Sequence, residues 1–256
     1  MRSRVRGSSE HSASPGNKAD RAFRHASVAA GAGLLLMSAL AGFAKFVALD
    51  GLVAKGDPVQ TAANITESAG LFRFGVACVF VVIALDVVVA WGLYRVFSPA
   101  GKNLSMLSAA FRLVYTAVFM VAIGQLLRGL RLLGDDDYLA VFGAEQLHAL
   151  ALLEVTAFND LWMAGLGLFG LHLILVGYLA YRSGYVPRLL GVLLVVAGLG
   201  YVIDSFGVML SQSAWTDVAS YTFIGEFLLA LWLVIWGSRL TISESQPHED
   251  PVATTR

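Results

Sequence analysis

The segment from Asn159 to Arg188, NDLWMAGLGLFGLHLILVGYLAYRSGYVPR, constrains the fold more than any other part of the chain. It contains an apolar run of about twenty residues, which is long enough to cross the hydrocarbon core of a bilayer. The run ends in a short turn that carries Arg182 and Arg188, and basic turns of this kind stay on the cytoplasmic side of a membrane. The segment therefore predicts a membrane-spanning helix and its orientation, with His172 deep inside it.

The composition agrees with a membrane protein. The chain is 57% hydrophobic and only 14% charged, whereas about a quarter of the residues of a soluble domain are charged. The apolar residues come in blocks separated by polar joints, which is the membrane pattern. The net charge of zero excludes a generally basic nucleic-acid-binding surface, and the single cysteine, Cys78, excludes an intrachain disulfide or a CxxC motif.

Six apolar blocks predict an all-α fold, a polytopic bundle of six transmembrane helices. Residues 1–25 and 241–256 are polar and are expected to form disordered cytoplasmic tails, which leaves 26–240 as the transmembrane domain. Short amphipathic helices are expected in the outer loops, one beginning at Asp57-Pro58 and one from Tyr138 to Leu153. The predicted spans are roughly 28–49, 72–97, 104–127, 158–181, 189–210 and 218–237.

The distribution of charge predicts the topology. With six spans, the N-terminal tail, the Arg95/Lys102 turn, the Arg182/Arg188 turn and Arg239 lie on one face. The positive-inside rule then places both termini in the cytoplasm. Arginine outnumbers lysine, which is typical of a GC-rich bacterial genome, so the expected location is a bacterial plasma membrane.

Five ionisable residues fall inside the predicted spans: Asp86, Arg112, His172, Asp204 and Glu226. At about 1.5 Å per residue, the first three lie roughly 13 to 16 Å from the cytoplasmic ends of their helices, near the midplane. A charge at the bilayer centre costs at least ~2.5 kcal/mol, so these groups should face one another instead of lipid. We therefore expect Arg112 within ion-pair reach of Asp86 or Glu226, and the five residues together are the candidate ligand-binding site.

A polar stripe on the third span supports an inward-facing Arg112. Side chains at three- and four-residue spacing share one face of a helix. Such a stripe can hold helices together by hydrogen bonds or can line a functional site. Its members are Ser105, Ser108, Arg112, Tyr115 and Thr116.

Several residues have two readings from the sequence alone. His172 is either a hydrogen-bonded packing residue or a general base or proton relay, with Asp204 and Glu226 as acids, and these three are the catalytic candidates. Lys45 either snorkels to the headgroups or is functional. The run Asp135-Asp136-Asp137 caps a helix or binds a metal-diphosphate, and we expect the first. A zinc site needs several nitrogen or sulfur ligands, and a single membrane histidine provides only one, so no metal is expected. No cofactor is expected either.

The residues from Gly170 to Ser205, GLHLILVGYLAYRSGYVPRLLGVLLVVAGLGYVIDS, closely resemble a signature of the bacterial family called domain of unknown function 4386. The loop GDPVQTAANITESAGLFRFG, Asp86, the pair Phe111-Arg112 and the pair Gly225-Glu226 resemble the same family. The aspartate run departs from its pattern. The resemblance implies a helical plasma-membrane protein and brings no activity with it.

Three classes of function remain open. The first is a protein that binds or transports a small ligand or an ion in a polar intramembrane pocket. The second is a structural or regulatory membrane partner whose buried charges only specify the bundle. The third, which we favour least, is an intramembrane enzyme that uses carboxylate and histidine acid-base chemistry on a lipid or isoprenoid. The expected partners are the bilayer and a small-molecule or lipid ligand, and nothing in the sequence defines an oligomeric state.

Overall fold

Helices make up nearly all of the structure, a computed structural model that describes residues 15–134, 137–211, 218 and 222–239. No strand occurs within these residues. The α-helices are α1 (Pro15–Gly42), α2 (Pro58–Glu67), α3 (Ala69–Leu132), α4 (Ala144–Ser183), α5 (Arg188–Ser211) and α6 (Ile224–Ile235). A π-helix (Phe43–Leu49) and a 3-10 turn (Asp50–Leu52) extend α1, and further 3-10 turns lie at Asp137–Leu139 and Gly237–Arg239.

The helix α3 folds back on itself near Pro99 and Gly101. The backbone of Gly101 is non-helical, with φ 169° and ψ 93°. Asp86 and Arg112 would be about 39 Å apart on a straight helix, yet their side chains are in direct contact. The Ser105 hydroxyl likewise donates to the Tyr94 carbonyl at 3.0 Å. The expected turn at 98–102 therefore exists, and α3 consists of a first arm, 69–100, and an antiparallel second arm, 102–132.

Glycine contacts show that consecutive helical segments run antiparallel. In the first arm of α3, Gly92 lies against Ala26 and Ala30 of α1, while Gly75 lies against Ala48 at the other end. The second arm of α3 and α4 are related in the same way. There the close approaches are Gly165 to Tyr115 and Gly129 to Ala151.

The alternation continues to the end of the described chain. Gly177 meets Gly191 and Gly170 meets Gly198 between α4 and α5, and Gly225 of α6 meets Leu193 of α5. The last segment also closes against the first. At that closure Gly237 lies against Ser27, and Gly31 lies against Ala230.

Within the part of the chain that the structure describes, four helices are long and apolar enough to cross a membrane: Asp20–Leu52, Ala69–Leu132, Ala144–Ser183 and Arg188–Leu210. The apolar helix α6 has only 12 residues, so it extends about 18 Å and is shorter than the hydrocarbon core. Large apolar side chains cover the outside of the bundle, among them Phe74, Trp91, Val121 and Leu189, each more than half exposed. A multi-pass helical membrane protein accounts for this outward-facing apolar surface.

The structure differs from the sequence-based expectation at two places. The helix α1 begins at Pro15, inside the segment expected to be disordered, and Phe23 is buried. Residues 1–14 and the expected tail 241–256 lie outside the described residues. The predicted surface helix from Tyr138 to Leu153 is wrong, because α4 runs unbroken from Ala144 to Ser183. Its first turns pack on the second arm of α3, where Arg128 and Glu154 form an ion pair at 3.0 Å.

The first turn of α4 is capped by one of its own side chains. Gln146 Oε1 accepts a hydrogen bond from the Gly143 backbone N–H at 3.1 Å, directly before the helix. Asp137 lies earlier, in a 3-10 turn. Asp135 and Asp136 lie outside the described residues.

The short outer helix α2 begins as the sequence predicts. Asp57 is the N-cap, its Oδ1 accepts from the Gln60 backbone N–H at 2.9 Å, and Pro58 occupies the first turn. We expect Asp57→Ala to destabilise this helix by about 1 kcal/mol, because one N–H loses its acceptor. Faster amide hydrogen exchange confined to Pro58–Glu67 is the expected result. Unchanged exchange there, or faster exchange throughout the protein, contradicts it.

The turn between α4 and α5 also follows the sequence. Gly184 ends α4 with φ 74°, a left-handed conformation that glycine adopts without strain. Tyr185 follows it, and burial raises the pKa of this tyrosine. Its hydroxyl therefore stays protonated and donates to the Val96 carbonyl at 2.5 Å. This bond ties the 184–187 turn to the first arm of α3, so the turns 98–102 and 184–187 lie on the same face.

Candidate functional site

Arg112 lies at the centre of the bundle, where only 1% of its surface is exposed. Its Nε and Nη2 approach the same carboxylate oxygen of Asp86, Oδ1, at 2.8 and 2.6 Å. Asp86 is fully buried. The expected ion pair therefore forms between the two arms of α3, and it joins them at the middle of the hairpin.

His172 of α4 lies on the other side of Arg112. Its Nε2 is 3.2 Å from Arg112 Nη1, and its Nδ1 is 2.9 Å from both the hydroxyl and the carbonyl oxygen of Ser108. An arginine nitrogen can only donate, so Nε2 must accept and the proton resides on Nδ1. His172 is thus a neutral, fully buried link between Arg112 and the second arm of α3.

Glu226 of α6 approaches the cluster from the opposite wall. Arg112, His172 and Glu226 line one cavity of about 10 Å³, which we call the deep cavity; Leu34, Leu194 and Leu229 complete its apolar sides. The Tyr201 side chain of α5 faces the Glu226 carboxyl. With Leu93 of the first arm of α3, six segments of the bundle therefore meet at this small cavity.

The two carboxylates of this cluster are incompletely hydrogen-bonded. No donor in the described part of the chain reaches Asp86 Oδ2 or Glu226 Oε1, and both atoms are buried. A buried carboxylate oxygen without a partner costs free energy unless a proton or a water satisfies it. The deep cavity is close to the smallest volume that can hold one water molecule.

Asp204 lies on α5, one helical turn beyond Tyr201. It is buried, and its Oδ1 accepts a hydrogen bond from the Val218 backbone N–H at 3.1 Å. It lines neither the deep cavity nor the cavity beside Ser105 and Ser108. Four of the five candidate residues therefore converge, whereas Asp204 holds the chain that follows α5.

The polar stripe of the third predicted span is buried as expected. Thr116 donates to the Arg112 carbonyl at 2.7 Å, and Ser105 and Ser108 make the contacts described above. Lys45 lies in the π-helix that extends α1, where it bridges Asp50 and Asn159 at 2.8 and 2.7 Å. It is two helical turns beyond Met37, the residue of α1 that contacts Arg112, and this position fits an interfacial lysine.

Three contacts of the cluster were not anticipated from the sequence. The guanidinium of Arg112 lies over the Phe169 ring, 5.2 Å from its centroid, and approaches the Met37 sulfur at 3.9 Å. Tyr201 faces Glu226. The only signal in the sequence was spacing, since Phe169 and His172 are three residues apart on one helix face, as are Tyr201 and Asp204.

Within the described residues, no group of three or more histidine, cysteine or acidic side chains is arranged to hold a metal ion. The cluster instead sets an arginine between two acids, beside a neutral histidine. Two carboxylates and one guanidinium carry one surplus negative charge when all are ionised. The chemistry that fits this arrangement is the uptake of one positive charge of very small size.

The fold and the cluster define a polytopic helical membrane protein with buried ionisable groups. Residues 29–237 match the family described as "Domain of unknown function (DUF4386)", and the chain belongs to that family. It is also similar to an uncharacterized protein of the archaeon Archaeoglobus fulgidus, with 37% identity over 175 residues that cover 68% of this chain and 90% of the relative. No solved structure matches the chain.

Proposed function

We propose that this chain is a six-span membrane protein whose buried cluster of Asp86, Arg112 and Glu226 binds and releases one proton. The observation that carries the proposal is the surplus acid: Arg112 pairs with Asp86, Glu226 lines the same cavity as Arg112, and each carboxylate has a buried oxygen without a donor. One proton neutralises the cluster. Ionisable groups inside a membrane-spanning bundle commonly serve as proton relays.

The six-span topology is supported by the antiparallel contacts. The two arms of α3 each exceed the length needed to cross a bilayer, as do α1, α4 and α5. Val218 lies beside Asp204, and Gly225 lies beside Leu193, so the chain after 218 runs back along α5. The contact of Gly237 with Ser27 supports the two ends of the bundle on one face, and the positive-inside rule favours the cytoplasmic face.

The size of the deep cavity favours a proton over an organic ligand. Sites for drug-sized molecules typically have volumes of about 300 to 1,000 Å³, whereas this cavity has about 10 Å³. Arg112 and Tyr201, both hydrogen-bond donors, face the Glu226 carboxyl. Such neighbours leave an oxygen for a proton but do not form an oxygen cage for a larger cation.

A structural role is the second candidate, because the Asp86–Arg112 pair is sealed from solvent and joins two helical arms. Buried pairs of this kind can fix helix register. Enzymatic acid-base chemistry is the least favoured, because neither the deep cavity nor the cavity lined by Ser105 and Ser108 has room for a lipid chain. The two leading candidates differ in whether the cluster exchanges a proton.

Infrared difference spectroscopy of the purified protein in lipid nanodiscs tests this proposal. We expect the carbonyl band of a protonated carboxylic acid to appear as the pH is lowered, and to be absent from Glu226→Gln, which keeps the shape of the side chain. The change Glu145→Gln removes an exposed acid at the start of α4 and should leave the band intact. A wild-type spectrum without a titrating buried acid, or an unaltered band in Glu226→Gln, rejects the proposal and leaves the structural role.

A further inference from the structure

A second cavity adjoins the deep cavity on the side of the 98–102 turn. This turn-side cavity is lined by Tyr94, Phe97, Ser105, Ser108 and Ala109. The two cavities share three lining residues: Leu93, His172 and Val176. The two cavities therefore lie in a row between the Glu226 carboxyl and the 98–102 turn. Of the three residues that line both cavities, His172 is the polar one.

The polar groups beside Arg112 point toward the turn. His172 contacts Ser108, and Ser105 lies one helical turn closer to the 98–102 turn, where its hydroxyl donates to the Tyr94 carbonyl. Hydroxyl and imidazole groups at this spacing can pass a proton when a water molecule lies between them. The turn-side cavity has a volume near 0 Å³ in this structure, so it must widen from the side of the turn before water or a reagent can enter.

The opposite side of Arg112 is packed with aromatic rings. Tyr115 and Phe119 follow Arg112 along the second arm of α3, with ring centroids 5.2 Å apart. Trp162 of α4 packs edge-on against Phe119 at 4.1 Å, and Phe158 packs against both. These aromatic side chains form an apolar barrier about two helical turns long in the α3–α4 interface. On the other side of Arg112, toward the 98–102 turn, the interface carries hydroxyl groups instead.

We propose that the deep cavity is reached only from the face of the 98–102 turn, through the file of Ser105, Ser108 and His172, and that His172 is the gate. This route depends on the proposed proton binding, and it adds the face of the protein from which the proton reaches the deep cavity. While Nη1 of Arg112 donates to Nε2 of His172, the imidazole has no free acceptor and the route is shut. Movement of Arg112 toward Glu226 frees Nε2 and opens it.

Cysteine accessibility tests the route directly, because Cys78 is the only cysteine of the chain and can be replaced by alanine. In that background, Ala109→Cys places a thiol in the turn-side cavity and Leu229→Cys places one in the deep cavity. Leu107→Cys is the matched control, since Leu107 lies two residues from Ala109 and is half exposed on the apolar surface. A water-soluble, membrane-impermeant methanethiosulfonate cation is added to vesicles of either orientation.

We expect Ala109→Cys to react several-fold faster than Leu107→Cys, and only when the reagent reaches the face of the 98–102 turn. Leu229→Cys should be unreactive while His172 is present and should react from the same face in the His172→Ala background. Reaction of Ala109→Cys at the control rate or from the opposite face overturns the route. Because this measurement keeps His172 intact, it decides the matter even if His172→Ala does not fold.

The two proposals fail separately. An infrared band that titrates, combined with labelling from the wrong face, removes the route and keeps the proton site. If labelling occurs from the expected face but no infrared band titrates, proton binding is rejected, and the row of Ser105, Ser108 and His172 has only a structural role. Reaction of Leu229→Cys that His172→Ala does not accelerate shows that His172 is not the gate.

Discussion

Replacing Arg112 with methionine is expected to cost about 3 to 5 kcal/mol in the free energy of unfolding, because Asp86 is left as a buried, unpaired charge. Asp86 has no exposed surface, so water cannot replace the lost partner. The same change removes the donor to His172 and the cation over Phe169. The midpoint of thermal unfolding in detergent, followed by size-exclusion chromatography, measures the loss.

Two comparisons make this result specific. Arg128→Met breaks an ion pair in which Nε and Nη2 also contact the carboxylate, here of Glu154, but Arg128 is 57% exposed, so its expected cost is below about 1 kcal/mol. The double variant Asp86→Leu with Arg112→Met removes both buried charges, and it should recover most of the lost stability. Equal effects of Arg112→Met and Arg128→Met, or no recovery in the double variant, would show that the buried pair does not hold the two arms of α3 together.

The pairing of Asp86 with Arg112 could be predicted from the sequence because it depends on two simple quantities. Helix rise gives both residues a similar depth from the 98–102 turn, and an unpaired charge at that depth is too costly to face lipid. The burial of the polar stripe from Ser105 to Thr116 follows from helical periodicity alone. These features are local to one hairpin, so they required no knowledge of the other helices.

Contacts between distant segments could not be predicted in the same way. The depth of Asp204 suggested a place near Glu226, yet depth does not fix the rotation of a helix, and Asp204 turns toward Val218. The unbroken α4 was also missed, because the amphipathic pattern of its first turns resembles that of a surface helix. Those turns are instead held against the second arm of α3 by the Arg128–Glu154 ion pair and by the contact of Gly129 with Ala151. Each contact needs a partner on α3, so the pattern of α4 alone does not predict it.

Gly177→Ala is expected to be strongly destabilising, because it adds one carbon atom inside the tightly packed α4–α5 interface. A Cβ atom at this position would lie 2.6 Å from the Gly191 carbonyl oxygen and 2.8 Å from the Val195 backbone nitrogen. Relaxed contacts to carbon are about 3.5 Å or longer, and backbone atoms inside a helix cannot rotate away. The two helices must therefore move apart, at an expected cost of about 1 to 3 kcal/mol in the free energy of unfolding.

The consequence should extend to the candidate site, because α5 carries Leu194 in the wall of the deep cavity and contacts α6 through Leu193. Gly124→Ala is the matched control: it makes the same change inside the second arm of α3, where no atom lies within 4 Å of the new Cβ. We expect it to be neutral or slightly stabilising, since alanine favours a helix over glycine by about 1 kcal/mol. Thermal unfolding of both variants in one detergent decides the matter, and matching midpoints would mean that close glycine packing does not set the position of α5.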